Sequence, residues 1–510
     1  MPDSSWPKND YYQETQIYQN HASDNEQQNY QASEKQKSSD TNTNQIEQET
    51  EVVDTTKLSN HNIYDGRGRR RKAAFMLSLI WTTTIILHLL SWGYWIIMGL
   101  TGLLSVQLLR ILFAKPKIAP KPLSEENLVD WPYVSLLVAA KNEEAVISKL
   151  VKNICALDYP TNNYELWVID DNSTDQTPVL LEQLAQEYQQ LKVIRRGPDA
   201  GGGKSGALNT AVPFVRGEIV GVFDADAQVT PDLLRKVVPL FAREKVGAVQ
   251  LRKAIANAGL NFWTKGQSAE MVLDGFFQEQ RIAIGGIGEL RGNGQFVRLN
   301  ALEECGGWNE ETITDDLDLT IRLHLNQWDI DFLAFPPVME EGVTNSIALW
   351  HQRSRWAEGG YQRYLDYWQL IVRNRMRFSK TWDLWQFLVT QYLISVAAVP
   401  DFLMSIILRR LPITSPLTVF TVMVSLLGMF IGLRRTRKRQ RSLAQHEKGM
   451  ELALRKENPL SLFFTFLESV RGTFYMLHWF VVMGVTIGRM SVLPKRLKWV
   501  KTVHRGDGES

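Results

Sequence analysis

Length, composition and charge narrow the function classes. The chain has 510 residues, more than one ordinary domain, and its formal net charge of +2 is too balanced to indicate a nucleic-acid partner. Its two cysteines, Cys155 and Cys305, argue against a disulfide framework or a thiolate zinc cluster and favour a reducing compartment. The 16 tryptophans fall largely in or beside apolar segments, as is typical of a membrane interface.

The amino-terminal region divides into a polar tail and an apolar pair of helices. Residues 1–65 are rich in Gln, Asn, Ser, Thr and Glu, so we predict a disordered tail. It lacks the early apolar core of a signal peptide. The apolar stretch within residues 66–114 is long enough for two transmembrane helices. Basic residues at both outer ends, from Arg69 to Lys72 and at Lys115 and Lys117, predict that these ends face the cytoplasm.

Residues 131–383 alternate strand and helix patterns. Residues 133–140 form a near-continuous apolar run, typical of a parallel strand buried on both faces, and a helix pattern follows. Further strands are predicted at 164–169, near 192–195 and at 219–223. This order predicts an α/β domain with a mostly parallel, doubly wound sheet.

An Asp-Ala-Asp sequence directly follows the strand predicted at 219–223. Ligands of open α/β sheets bind at the carboxyl ends of strands, so Asp224 and Asp226 are well placed to reach a substrate. Carboxylates suit Mg²⁺ or Mn²⁺, which take their remaining ligands from phosphate oxygens and water. A simple turn is the alternative interpretation, because Asp is common in turns.

Two segments after earlier strands contain polar or small residues. Asp170 and Asp171 end the second predicted strand and can accept hydrogen bonds from a base or ribose. The glycines at 201–203 precede Lys204, which can supply a point charge to a diphosphate. Pro198 stands where a Walker motif needs its first glycine, so an ATPase is set aside. On the glycines alone, a flexible connector explains this segment equally well.

Acidic side chains begin a predicted helix at residue 315. The helix dipole favours Asp315, Asp316 and Asp318 there, which is a sufficient structural reason for some of them. A carboxylate that lies near other acids in partly dehydrated surroundings has a raised pKa, which suits a general base. The preceding segment, residues 289–298, predicts a loop of small residues that would let a bulky acceptor approach.

A basic segment with an indole follows at residues 351–356. Arg353 and Arg355 can bind diphosphate oxygens bidentately, and Trp356 offers a face for stacking. The alternative is a basic helix on the membrane surface, with the tryptophan as its interface anchor.

In this order, the four motifs resemble those of the membrane-bound family 2 glycosyltransferases, which have the GT-A fold. The resemblance covers residues 131–364. It implies that Asp170 or Asp171 contacts the uridine. It also implies that Asp226 binds the metal, with Asp224 beside it near the ribose or diphosphate, and that Asp316 is the base.

Two further assignments follow from the same resemblance. Asp315 stands where the family usually has Glu, so it is a second catalytic candidate beside the acceptor. The family's Gln-x-x-Arg-Trp segment closes over the diphosphate and acceptor, and here it comprises Gln352, Arg353, Arg355 and Trp356.

Within the family, residues 202–209 and 345–364 and the paired amino-terminal helices resemble cyanobacterial enzymes that transfer glucose from UDP-glucose to 1,2-diacylglycerol. The product of such enzymes is a glycolipid precursor of membrane galactolipids. This resemblance implies an inverting reaction in which Asp316 deprotonates the glycerol hydroxyl. UDP would leave with its charge held by Mg²⁺, or alternatively Mn²⁺, and by Lys204 and Arg355. A processive polysaccharide synthase of the cellulose or hyaluronan type is the main alternative, and a non-catalytic membrane scaffold is the other.

The carboxy-terminal region contains further apolar segments. Residues 384–434 predict two transmembrane helices, 435–458 a basic cytoplasmic loop and 491–510 a basic tail. Residues 459–490 fit either an interfacial helix followed by a span or a re-entrant hairpin. Five spans would put the tail outside, against the charge rule. We expect an integral multi-pass membrane protein with a cytoplasmic catalytic domain.

Overall fold

The computed structural model describes residues 66–124, 131–447 and 459–493, without the side chains of residues 443–447. Three predicted regions therefore lie partly or wholly outside the described residues. They are the polar tail at 1–65, the end of the basic loop at 448–458 and nearly all of the tail at 491–510.

The α/β region predicted at residues 131–383 is built on a seven-stranded sheet. Its strands are β1 (Val134–Ala140), β2 (Tyr164–Asp170), β3 (Leu191–Arg195), β4 (Ile219–Phe223), β5 (Val246–Ile255), β6 (Gln295–Arg298) and β7 (Asp329–Glu340). The order across the sheet is β3-β2-β1-β4-β6-β5-β7. Only β6 is antiparallel to its neighbours, β4 and β5, so the predicted α/β fold with a mostly parallel sheet is confirmed.

Helices cover the sheet and extend beyond it. In chain order they are α1 (Arg69–Leu89), α2 (Gly93–Leu112), α3 (Ile147–Cys155), α4 (Thr177–Glu187), α5 (Gly203–Ala211), α6 (Leu233–Val237), α7 (Phe262–Ala283), α8 (Leu299–Glu304), α9 (Asp315–Leu325), α10 (Ser346–Val372), α11 (Phe378–Phe387), α12 (Ile394–Leu408), α13 (Ser415–Glu447), α14 (Pro459–Met476) and α15 (His478–Val492).

Alternate side chains of β1 enter two separate cores. Leu136 and Val138 pack in a core with Leu150 of α3, whereas Leu137 packs in a core with Leu208 of α5. All seven residues of β1 are buried. A strand covered on both faces has no solvent side, which explains why its sequence lacks the polar alternation of a surface strand.

The parallel register brings the predicted acidic residues to one edge of the sheet. Ala140 at the end of β1 pairs with Asp170, and Val138 pairs with Phe223, the residue before Asp224. The carboxyl ends of β1, β2 and β4 therefore meet at the same edge. Because β6 runs the opposite way, the loop before Gln295 returns to that edge as well.

Within the described ranges, five helical segments are long and apolar enough to cross a membrane. They are Arg69–Leu89, Gly93–Leu112, Phe378–Leu408, Ser415–Ser442 and Pro459–Val492. The third segment joins α11 to α12 through a π-helical turn at Leu388–Leu393. The fifth is divided between α14 and α15 at Leu477.

Residues 435–447 of the predicted basic loop are helical, because α13 continues through them without a break. Residues 434–447 contain neither glycine nor proline, so nothing in the sequence ends the helix there. Its basic side chains also contact acids on neighbouring helices. Arg439 lies 2.8 Å from Glu279 of α7, and Arg437 pairs with Glu468 of α14.

Candidate functional site

The first acidic pair lies at the end of β2. Asp170 is buried and accepts a hydrogen bond from the Ser173 amide at 3.0 Å. Its second oxygen, Oδ2, accepts no hydrogen bond from the described residues, and Arg195 Nε lies 3.6 Å from it. Asp171 instead binds two cations, Arg196 at 2.6 Å and Lys141 at 3.4 Å. Asp170 therefore retains acceptor capacity that Asp171 has already used.

Arg196 connects this acidic pair to the glycine segment. Besides Asp171, its guanidinium donates to the carbonyls of Gly201 and Gly203. Gly202 has a φ of 77°, and a side chain there would overlap the Glu310 carboxylate. The glycine segment is thus held in a fixed position at the start of α5, where Lys204 follows. Sequence analysis missed Arg196.

Lys204 reaches the acids at the end of β4. Its ammonium lies 2.6 Å from Asp224 Oδ1. Burial alone would lower the pKa of Lys204, but Asp224, Asp315 and Asp316 outweigh burial and hold it above the ordinary value. The lysine is therefore charged, and it lies between the Asp-Ala-Asp sequence and the start of α9.

Asp226 lies beside two other carboxylates. Its Oδ2 accepts a hydrogen bond from the Glu341 amide at 2.8 Å. Burial, Asp224 and Glu340 together raise its pKa to about 7. Asn293 connects these acids, since it accepts from the Asp224 amide at 3.3 Å and donates to Glu340 at 3.5 Å. Mutually repelling carboxylates of this kind are stabilised by a cation.

Two of these carboxylates could supply part of a metal site. Within the described ranges, no three His, Cys, Asp or Glu side chains are grouped closely enough to hold a metal ion alone. Asp224 and Asp226 offer hard oxygen ligands. Mg²⁺ commonly binds through one or two carboxylates together with substrate phosphates and water, so this donor set fits it.

Asp315 and Asp316 begin α9 and face the same cleft. Burial and then Asp315 raise the pKa of Asp316 to about 6, although the Leu317 amide, Lys204 and Lys253 oppose the rise. Asp316 Oδ1 accepts from that amide at 2.8 Å. A side chain on Gly292 would lie 3.4 Å from Asp316 Oδ2, so the loop before β6 passes directly beside the acid.

Asp318, the third acid of this segment, has a structural role. It is buried and lies 2.6 Å from Arg322 Nε, and its Oδ1 accepts from the Tyr367 hydroxyl at 2.8 Å. Close packing also holds the turn before Asp315. A side chain on Gly359 of α10 would overlap Thr314, so glycine is needed at this contact.

The Gln352 to Trp356 segment lies on α10, and its arginines point to different places. Arg355 lies close enough to Asp224, Asp315 and Asp316 for these acids to raise its pKa, although burial lowers the pKa more. Arg353 is fully buried and lies 2.5 Å from Glu270 of α7. Gln352 accepts from Arg353 at 2.8 Å. The structure therefore brings Arg355 to the acidic cleft and directs Arg353 to a helix contact.

Trp356 lies between two cations. Its ring is 4.0 Å from the Arg353 guanidinium and 4.8 Å from Lys253 Nζ. Lys253 is 3.3 Å from Glu340. Sequence analysis missed Lys253 and Glu340, although both carry a recognisable signal: each is a charged residue near the carboxyl end of an apolar strand, as Asp224 is for β4.

Known proteins are similar to this chain over its full length. A family model described as glycosyltransferase like family 2 matches residues 132–359. A β-monoglucosyldiacylglycerol synthase of Nostoc sp. is 55% identical over 509 residues, 100% of both chains. One from Synechocystis sp. is 56% identical over 438 residues, 86% of this chain and 88% of its own. A mannosyltransferase from Pyrobaculum calidifontis, solved with GDP-Man and Mn²⁺, aligns with a TM-score of 0.45 and 21% identity over 69% of this chain and 99% of its own.

Replacing Arg353 should lower the stability of the protein, whereas replacing Arg355 should weaken UDP binding. Arg353→Ala leaves Glu270 buried without its cation, which typically costs about 3–5 kcal/mol of stability. We expect a clearly lowered unfolding temperature in detergent. Arg355→Ala should leave that temperature close to the wild-type value and weaken UDP binding, measured by calorimetry. Arg373→Ala, an exposed position on the same chain segment, is the control. An unchanged unfolding temperature with weakened UDP binding in Arg353→Ala would place Arg353 in the donor site instead.

Proposed function

We propose that this chain, which belongs to the family 2 glycosyltransferases, transfers glucose from UDP-glucose to 1,2-diacylglycerol and forms β-monoglucosyldiacylglycerol. The family resemblance seen in the motifs is confirmed by full-length matches to β-monoglucosyldiacylglycerol synthases. The observation that supports the reaction best is the joint position of Asp316, Lys204 and Arg355 beside Asp224 and Asp226, at one edge of the sheet.

The nucleotide binds along the carboxyl ends of β1, β2 and β4 in this proposal. Asp170 or Asp171 receives the uridine, and the unfilled Oδ2 of Asp170 favours the former. Lys204 and Arg355 face the diphosphate and donate charge-assisted hydrogen bonds to its oxygens. Trp356, held by Arg353 and Lys253, forms a wall of the sugar site.

Asp224 and Asp226 hold a divalent cation, which we assign as Mg²⁺, with Mn²⁺ as the alternative. The bound ion would neutralise charge that develops on the departing diphosphate. The raised pKa of Asp226 supports this assignment, because a cation removes the repulsion from Asp224 and Glu340 that raises it.

Asp316 is the general base. Its carboxylate takes the proton of the free glycerol hydroxyl, and the hydroxyl oxygen attacks the anomeric carbon on the face opposite UDP. Lys204 keeps Asp316 ionised near neutral pH by opposing the effects of burial and Asp315. A positioned base contributes roughly 10²–10⁴-fold in rate. Asp315 lies beside Asp316 in the cleft, where its charge raises the pKa of Asp316.

The catalytic region faces the cytoplasm in this proposal, and its contacts fix which helix ends share that side. Arg69 at the start of α1 binds Asp366 of α10. Gln280 of α7 donates to the carbonyls of Ile111, Leu112 and Ala114 at the end of α2. Basic residues concentrate at these ends, as expected for the cytoplasmic side.

Residues 459–493, which form α14 and α15, stay on the cytoplasmic side in this proposal, because Trp479 at their junction donates to Glu270 of α7 at 2.9 Å. Arg437 near the end of α13 pairs with Glu468 of α14. At the other end of the pair, Arg489 of α15 binds Glu358 of α10. Among the described residues, four complete spans followed by an interfacial pair of helices, α14 and α15, place residue 493 on the side of the catalytic region. This topology removes the conflict between five spans and the basic tail.

A radiolabel transfer assay tests the reaction. Membranes that contain the protein are incubated with radiolabelled UDP-glucose, with and without added diacylglycerol, Mg²⁺ and EDTA. We expect label in a single monoglycosylated lipid that requires both diacylglycerol and the cation. Label in insoluble polymer would identify a polysaccharide synthase, and an absence of label from every UDP-sugar would contradict catalysis. Undiminished transfer in EDTA would contradict the metal assignment.

Asp316→Asn should lower the turnover rate by roughly 10²–10⁴-fold and leave UDP binding unchanged, because the amide cannot accept the proton. The wild-type rate should fall as pH drops through about 6, where Asp316 becomes protonated.

Asp315→Asn is the matched control for Asp316→Asn. It removes a charge that raises the pKa of Asp316, so it should retain transfer and shift the acidic limb of the pH profile to lower pH. Equal losses in the two variants would rule out Asp316 as the specific base.

A further inference from the structure

A basic cavity of about 380 Å³ lies outside the catalytic cleft, where α1 begins and α15 ends. Four arginines line it: Arg69, Arg70 and Arg71 from α1, and Arg489 from α15. Glu358 is the acidic residue among its lining side chains. The cavity is therefore strongly positive.

Two of the four arginines are already paired. Arg69 is buried and donates to both oxygens of Asp366, at 3.0 and 2.8 Å. Arg489 pairs with Glu358. Arg70 and Arg71 are exposed and form no hydrogen bond or ion pair with any described residue. Two guanidinium charges at the cavity are thus left without a described counterion, which favours an anionic ligand.

The surroundings of the cavity indicate that the anion belongs to a lipid. Met490 and Leu493 contribute an apolar wall next to the arginines. α1 leads directly from the cavity into an apolar segment long enough to cross a membrane, and its Phe75 and Leu79 are exposed. A free phosphate ion would gain nothing from that wall, whereas a phospholipid can place its head group on the arginines and its acyl chains along α1.

The cavity also contacts the segment that leads to the base. Gln362, which lines the cavity, accepts a hydrogen bond from the Ile313 amide at 3.2 Å. Arg69 donates to the Glu311 carbonyl at 2.8 Å. Residues 311–313 continue into Asp315 and Asp316, so side chains of the cavity hold the backbone that positions the catalytic acids.

We propose that this cavity binds the acidic head group of a membrane phospholipid, with Arg70 and Arg71 as its ligands. The bound lipid stabilises the arrangement of Arg69, Gln362 and residues 311–313, and transfer is therefore faster in an anionic bilayer. Binding at the cavity does not depend on the proposed reaction. Only the effect on the transfer rate rests on that reaction.

The test compares two double variants with equal changes in charge. Arg70→Ala with Arg71→Ala removes the proposed ligands. Arg373→Ala with Arg375→Ala removes two exposed arginines near the start of α11, another apolar segment, but outside the cavity. Purified full-length protein is placed in nanodiscs of phosphatidylcholine with increasing phosphatidylglycerol. Native mass spectrometry then counts the phosphatidylglycerol molecules that remain bound, and UDP binding shows that each variant is folded.

We expect the wild-type protein and the Arg373/Arg375 variant to retain phosphatidylglycerol. The Arg70/Arg71 variant should bind it roughly 30-fold more weakly, as expected for two membrane-facing arginines. Its transfer rate should no longer rise with phosphatidylglycerol. Equal retention in all three proteins, or equal loss in both variants, would overturn the proposal. Displacement of the lipid by millimolar glycerol phosphate would show a site for a soluble anion and would also overturn it. Because retention is measured without UDP-glucose, failure of the proposed reaction leaves this result interpretable.

Discussion

The repulsion among carboxylates at one sheet edge is the constraint on which the rest of the site depends. The parallel register brings Asp224 and Asp226 to the edge of the sheet that the start of α9 also faces. Burial, Asp224 and Glu340 raise the pKa of Asp226, and burial and Asp315 raise the pKa of Asp316. Lys204 and Arg355 offset part of this negative charge. A cleft with this balance favours a ligand that combines a divalent cation with a diphosphate. The carboxylates attract the cation, and Lys204 and Arg355 attract the diphosphate.

Buried ion pairs connect this cleft to the apolar helices. Glu270 of α7 receives Arg353 of α10 and, at 2.9 Å, the indole of Trp479 from α15. Glu289, which is fully buried, lies 2.8 Å from Arg363 of α10 and 2.7 Å from Arg291. Breaking one member of such a pair leaves an uncompensated buried charge. The catalytic region and the helices that contact it are therefore expected to move as one unit.

Sequence reasoning found the features that depend on local pattern. The apolar strands, the carboxylates that follow them and the acids at the start of α9 are all visible in the order of residues along the chain. It did not find Arg196, Lys253 or Glu340, although each is a charged residue at or near the carboxyl end of an apolar strand. The contacts that Lys253 makes with Glu340 and Trp356 join residues far apart in sequence, so only the fold reveals them. The Gln-x-x-Arg-Trp pattern also gave no sign that Arg353 is directed to Glu270, since helical spacing shows which residues share a face but not what that face contacts.

The most direct test of this account is the stereochemistry of the transfer. Glucose is α-linked in UDP-glucose, and attack by a hydroxyl activated by Asp316 inverts that centre in one step. Proton NMR of the lipid product, recorded early in the reaction, reports the anomeric configuration through the coupling of the anomeric proton. The account predicts a β-glucoside as the first product formed. An α-glucoside would contradict a single displacement and the role of Asp316 as its base.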